Sequence, residues 1–211
     1  EYLNYIYNSY KIDLSGIIFI NDEKAEKEFE KRSGEFSQKE LQNLLFSNLK
    51  NSKEYNFTID ILNQKIKENP DMAFLYAAKG RIFFKQGNFD KAINEFQKAI
   101  SKSEIQTPYY LLLADTYFKK GDLKNAIINY NKIIEVYPYS LAIMAKTANL
   151  YLQTEQYNKA RQMYLKINEI FPWVPYNSME TYYNQLAYTE YKLNNYKNAL
   201  QYLKQLEEIN P

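Results

Sequence analysis

The chain contains no histidine and no cysteine, so the commonest general base, the commonest transition-metal ligand and the thiol nucleophile are all missing. Chemistry would have to come from carboxylates, lysine, serine and tyrosine. None of these falls into a recognisable constellation, and the sequence holds no Gly-x4-Gly-Lys phosphate loop, dinucleotide glycine fingerprint, Gly-x-Ser-x-Gly elbow or calcium loop. We therefore expect no catalysis, no metal and no cofactor. The residues whose types and spacing carry information are suited to binding. Phe84, Phe118 and Leu152 stand 34 residues apart, Tyr191 follows 39 after Leu152, and Arg81 precedes Asp115 by 34. Apolar anchors joined by a few charges are the composition of a protein-binding patch.

Something must set that spacing. Ala92, Ala126 and Ala160 repeat it, as do Gly80, Ala114 and Ala148, the pair Gly87 and Gly121, and the aromatics Phe96, Tyr130 and Tyr164. Between Ala73 and Glu104, apolar residues recur at helical spacing from Phe74 to Phe84 and again from Phe89 to Ile100, which predicts two helices. Gln86-Gly87-Asn88, and Lys120-Gly121-Asp122 in the next unit, are sequences that tolerate positive φ and turn the chain sharply. Each unit is thus a helical hairpin, with Gly80 and Ala92 where its helices cross and Tyr76, Phe83, Phe89 and Phe96 around them. A hairpin cannot bury its apolar face alone, so neighbours must stack into an α-solenoid.

These residues resemble the tetratricopeptide repeat. One unit matches at Tyr110, Leu113, Ala114, Tyr117, Gly121, Ala126, Tyr130 and Pro138. The next matches at Ala148, Tyr151, Tyr157, Ala160, Tyr164 and Pro172, but has Glu155 at the turn glycine. The first clear unit departs at Lys79, where Leu is usual, and at Glu104, where the repeat closes on proline. A fourth unit bears Tyr183, Leu186, Ala187, Tyr196, Ala199 and Leu206, displaced by an insertion of five residues, since Ala199 lies 39 after Ala160 instead of 34. A degenerate unit bears Leu45, Phe46, Leu49, Tyr55 and Leu62, with Thr58 at the small position. The resulting organisation is an N-terminal helical cap or strap over 1–36 and an array over 37–211. The array comprises a degenerate repeat 39–70, clear repeats 73–104, 107–138 and 141–172, an insertion 173–179 and a fourth repeat 180–211. The expected fold is all-α, a superhelix of four to five stacked hairpins forming a single elongated domain. A bacterial source is also expected.

The resemblance implies a non-catalytic interaction module whose first helices line a concave groove for a protein or peptide partner. By register the groove residues are Ala77, Arg81, Phe84 and Lys85, then Leu111, Asp115, Phe118 and Lys119, then Ala145, Lys146, Asn149 and Leu152, then Asn184, Tyr188 and Tyr191. Phe84, Phe118, Leu152 and Tyr191 would either form a ladder that holds an amphipathic helix or apolar segment, or seal one repeat against the next. Arg81 and Asp115 are ligand hooks or a groove-wall ion pair. Some members of the family clamp chaperone-tail carboxylates with Lys and Asn in three successive repeats. Ala77, Leu111 and Ala145 stand where polar hooks would be needed, so that set is incomplete here.

Composition narrows the alternatives. The chain has 45% hydrophobic and 17% aromatic residues with only five glycines and six prolines, enough for a continuous helical core. Its 22 tyrosines, with frequent Asn, Ile and Lys, reflect an AT-rich coding bias as much as selection for binding. A net charge of +2 leaves no electrostatic footprint for nucleic acid, and the alternating charges from Asn21 to Arg32 suit a solvated helix. The apolar run Ile17 to Ile20 is too short to cross a bilayer. A start at Glu1 instead of Met suggests a mature form or fragment, cytoplasmic, or exported or anchored through a segment since removed. Tyr2, Leu3, Tyr5, Ile6, Tyr7 and Tyr10 would cap the first repeat, contact a second copy or lie in the groove. Trp173 would pack within its insertion between repeats or stand as an exposed anchor. At the far end Leu200, Leu203 and Leu206 are left without a following helix, so self-association into an assembly subunit is the second functional reading and a regulatory domain of a larger protein the third.

Overall fold

A computed structural model of the chain describes residues 52–170 and 176–209. The N-terminal segment, the first half of the degenerate repeat and the stretch holding Trp173 lie outside the described residues. Among the described residues every regular element is a helix: α1 (Ser52–Glu68), α2 (Ala73–Lys85), α3 (Phe89–Lys102), α4 (Thr107–Lys120), α5 (Leu123–Val136), α6 (Leu141–Gln153), α7 (Tyr157–Ile170), α8 (Tyr176–Lys192) and α9 (Tyr196–Ile209). α8 takes in the last four residues of the stretch read as an insertion, 176–179. The helices fall into two compact units that divide between Gly121 and Asp122, where the sequence suggested one elongated domain. α1 packs on α2, α2 on α3 and α3 on α4 in the first; α5, α6, α7, α8 and α9 pack each on the next in the second.

One turn geometry sets the register of the repeats. Gly87 and Gly121 have φ of 76° and 86°, and the two equivalent positions without glycine, Glu155 and Asn194, are held at 58° and 61°. All four therefore occupy the left-handed region that ends a helix. The N–H of Gly87, Gly121, Glu155 and Asn194 donates to the carbonyl of Phe84, Phe118, Leu152 and Tyr191 respectively, each at 3.0 Å. Four residues past the turn's last carbonyl comes the repeated alanine, with Ala92, Ala126, Ala160 and Ala199 donating their N–H to Asn88, Asp122, Gln156 and Asn195 at 3.0 Å. The missing glycine of the third clear repeat has changed the energy of its turn but left its shape.

In the first unit the small residues do what their spacing predicts. Ala77, Ala92 and Ala99 are wholly buried beside Phe96, Tyr109 and Leu113. Gly80 has no room for a side chain, because a Cβ there would stand 2.6 Å from the Phe96 ring. Leu62 of α1 meets Phe74, Leu75, Ala78 and Ile82 of α2 in a second cluster, with Tyr55, Ile59 and Ile66 at its edge. Lys79 does not occupy its leucine position as an orphan. Its ammonium lies 3.4 Å from Glu95, a carboxylate with 7% exposure that Lys98 also contacts at 3.1 Å, so one buried charge in α3 answers another in α2.

The second unit closes with tyrosines. Asn131 of α5 donates to the Tyr151 hydroxyl of α6 at 2.8 Å. Tyr164 of α7 is buried, and the edge of its ring meets that of Tyr182 in α8 at 6.0 Å between centroids. The Tyr182 hydroxyl donates to the Tyr164 carbonyl at 2.9 Å. Glu190 is almost fully buried, and is compensated by Arg161 at 3.9 Å and by the Asn195 amide, which donates to it at 2.7 Å. Burial pushes the Tyr164 and Tyr182 hydroxyls well above the usual phenol range, because an anion there would lose its hydration.

Three outcomes follow for stability. Gly80→Ala should lower the free energy of unfolding by about 1–2 kcal/mol in urea melts, since displacing the buried Phe96 ring outweighs the helix-propensity gain of alanine. Glu155→Gly should raise it by about 0.5–1 kcal/mol in the same assay, by relieving a left-handed backbone that a side chain disfavours. Because the folded tyrosines ionise above the unfolded value, their contribution is fully present below pH about 10 and is lost as pH rises past it. Alkaline unfolding followed by circular dichroism should therefore move to higher pH in a Tyr164→Phe/Tyr182→Phe variant, measured relative to its own stability at neutral pH.

Candidate functional site

The residues with ladder register all lie in the last turn of a first helix, where the left-handed turn takes their carbonyl. Their side chains nevertheless have different surroundings. In the first unit, Phe84 is half-buried and sets the edge of its ring on Phe89 at 5.7 Å, while also packing on the Ala77–Phe96–Leu113 cluster. Phe118, on the neighbouring first helix, is 41% exposed. Lys85 and Lys119 are exposed, and Arg81 and Asp115 are half-buried. Ala77 and Leu111, placed by register on the groove side, are buried. Two apolar positions per helix are thus spent on packing, and α4 offers solvent mainly Phe118 and its lysine neighbour.

In the second unit, α6 carries Lys146, exposed, with Ala145, Asn149 and Leu152, each half-buried. The Lys146 ammonium lies 5.7 Å from the Tyr130 ring centroid, within cation–π range. Asn149 accepts the Tyr164 hydroxyl proton at 2.6 Å, which orients its carboxamide with the oxygen toward the core and leaves the NH2 group as the donor available outward. On α8, Asn184 is exposed, as are Tyr188 and Tyr191, at 47% and 57%. Lys192 stands over the Tyr188 ring at 5.5 Å.

Register on the first helices alone missed one participant. Tyr196, the first residue of α9, is 60% exposed and meets the Tyr191 ring at 5.8 Å. This is the pair Phe84–Phe89 over again, 107 residues on. The equivalence was available in the spacing, but only the fold shows that one copy is half-sealed by its neighbours and the other is open. Tyr188, Tyr191 and Tyr196 make an aromatic surface around the α8–α9 turn, with the amides of Asn184 and Asn194 beside it. Neither unit assembles an acid–base pair or a nucleophile in this region, and among the described residues no group of His, Cys, Asp or Glu is placed to hold a metal ion. No described helix is long and apolar enough to cross a membrane.

Comparison with known proteins agrees with this architecture. Profiles of the tetratricopeptide repeat match residues 77–140 and residues 180–211. No curated protein sequence gives a significant match. Among solved structures, YrrB, described as a TPR protein with an unusual peptide-binding site, aligns at 16% identity and a TM-score of 0.63, covering 88% of this chain and 92% of its own. A structure of MamA aligns at 17% identity and a TM-score of 0.59, covering 74% and 89%. MamA from Desulfovibrio magneticus RS-1, residue 41 to the end, aligns at 14% identity and 0.60, covering 81% and 93%. At these identities the structures share the fold. Repeat spacing, turn geometry and both profile matches agree, and the chain belongs to the tetratricopeptide repeat family.

Proposed function

We propose that this chain is a non-catalytic protein-interaction module, and that it takes an amphipathic helix or apolar segment of a protein partner on the exposed faces of its first helices. The observation that carries the reading is the selective exposure of aromatic rings. Phe96, Tyr130 and Tyr164 are at most 3% exposed, whereas Phe118, Tyr188 and Tyr191 stand 41%, 47% and 57% open to solvent. Rings held on a rigid helix, beside lysines and amides, give contact area at low entropic cost and are typical anchors of protein recognition. The peptide-binding site by which YrrB is described supports the same class of ligand. Within each unit the anchors are set by helix and turn, so the ligand meets a preformed surface.

The experiment is selection from a displayed peptide library on the purified chain, with the selected peptides then titrated against single variants. Phe84→Ala is avoided because that ring supports the core. Phe118→Ala and Tyr191→Ala remove exposed rings and should leave helicity and melting temperature nearly unchanged. At least one of them should weaken a selected peptide by about tenfold or more, the effect of losing an interface anchor. Recovery of no peptide, or equal binding by both folded variants and the wild type, would show that these rings are not the site.

A further inference from the structure

The last second helix carries an apolar stripe whose counterparts elsewhere in the chain are all covered. Tyr196, Leu200 and Leu203 lie at i, i+4 and i+7 on α9, one face of a helix, and are 60%, 56% and 45% exposed. The equivalent residues of α1, 141 positions earlier, are Tyr55, Ile59 and Leu62, nearly the same side chains in the same order. There Leu62 is 1% exposed, because Phe74, Leu75, Ala78 and Ile82 of α2 lie on it. The position of Leu203 is filled by Phe96, Tyr130 and Tyr164 in α3, α5 and α7, each at most 3% exposed. Every other described second helix therefore presents this face to the first helix that follows it, and α9 has the same face open.

The chain itself shows what fits such a stripe. On α1 the covering surface is an aliphatic row, Leu75, Ala78 and Ile82, with Phe74 beside it. The small alanine at its centre allows close approach of the two helices. Charge narrows the partner further. Lys197 and Lys204 flank the α9 stripe on the side away from the buried Ala199, and both are exposed. We propose that the α9 face is a second docking surface, separate from the first-helix rings, and that it receives an amphipathic helix from a partner protein. That helix presents a Leu-x2-Ala-x3-Ile row and an acidic flank, and seats as α2 seats on α1. An apolar strip of this kind, rimmed by like charge, marks an interaction surface, and the lysines would speed association and fix the register of docking.

The test uses a labelled synthetic helix bearing the Phe74, Leu75, Ala78 and Ile82 side chains at native spacing, with glutamates on one flank and soluble helix-forming residues elsewhere. A control helix has the same row and lysines on the flank. Binding is followed by fluorescence anisotropy on the whole chain, with sedimentation of the protein alone. The acidic helix should bind one-to-one, with affinity falling as salt rises, and at least about tenfold more tightly than the lysine control. Leu200→Lys/Leu203→Lys should weaken it by about tenfold or more, and Leu200→Ile should keep it. Leu200→Lys alone, at the most exposed leucine, serves as the readout should the double variant lose helicity. Phe118→Ala and Tyr191→Ala should leave this binding unchanged, which separates it from the first-helix surface. The proposal is overturned by equal binding to wild type and both lysine variants, by no binding, or by wild-type dimers that the lysine variants abolish, which would make a second copy the occupant.

Discussion

Every hairpin in this chain has one face that it cannot cover itself. The second helix of each repeat turns an aromatic or leucine residue, at the position of Leu62, Phe96, Tyr130, Tyr164 and Leu203, toward whatever comes next. Where a first helix follows, the side chain is almost wholly removed from water, worth about 1.5–3 kcal/mol per residue. The small residues at the crossings exist to let that helix come close, and Gly80 under the Phe96 ring is the tightest case. Stacking is therefore the source of stability, and exposure occurs only where stacking leaves a surface over.

The turn is the second determinant, and it acts on the binding surface as well as the fold. A left-handed residue after each first helix captures the carbonyl of Phe84, Phe118, Leu152 or Tyr191, so these four backbones are fixed in equivalent places whatever side chain they bear. Evolution can then vary the side chain without moving its base. Phe84 has been drawn into the core, Phe118 half-released and Tyr191 opened to solvent beside Tyr196. A constant scaffold with a variable edge is how a repeat family changes partner without changing fold.

Polar residues inside the array follow the same economy. Lys79 breaks the apolar pattern of its helix, and Glu95 breaks that of the helix it packs on. Glu190 sits among apolar neighbours, held by Arg161 from the preceding helix and by Asn195 from its own turn. Each pair crosses from one helix to another, so it ties register at a modest cost in desolvation. Asn149 is used twice: Tyr164 anchors its oxygen, and its amide donors are left to the surface.

Repeat number, helix boundaries, turn positions and the small-residue crossings were legible in the sequence, because each depends on local geometry that recurs every 34 residues. Even the exceptions at Lys79 and Glu155 were visible as departures. What was not legible was which of several register-equivalent side chains is open to solvent. Ala77 and Leu111 share the groove register with Phe118 and Tyr188 and yet are buried, and Tyr196 was overlooked although its spacing matches Phe89. Exposure is decided by what packs from the neighbouring helix, a contact between residues far apart in the chain, and periodicity encodes only the direction in which a side chain leaves its own helix. The sequence alone determined that this protein is a stack of helical hairpins built for contact; the tertiary structure decided where the stack leaves apolar surface uncovered, since that depends on the presence or absence of a covering neighbour.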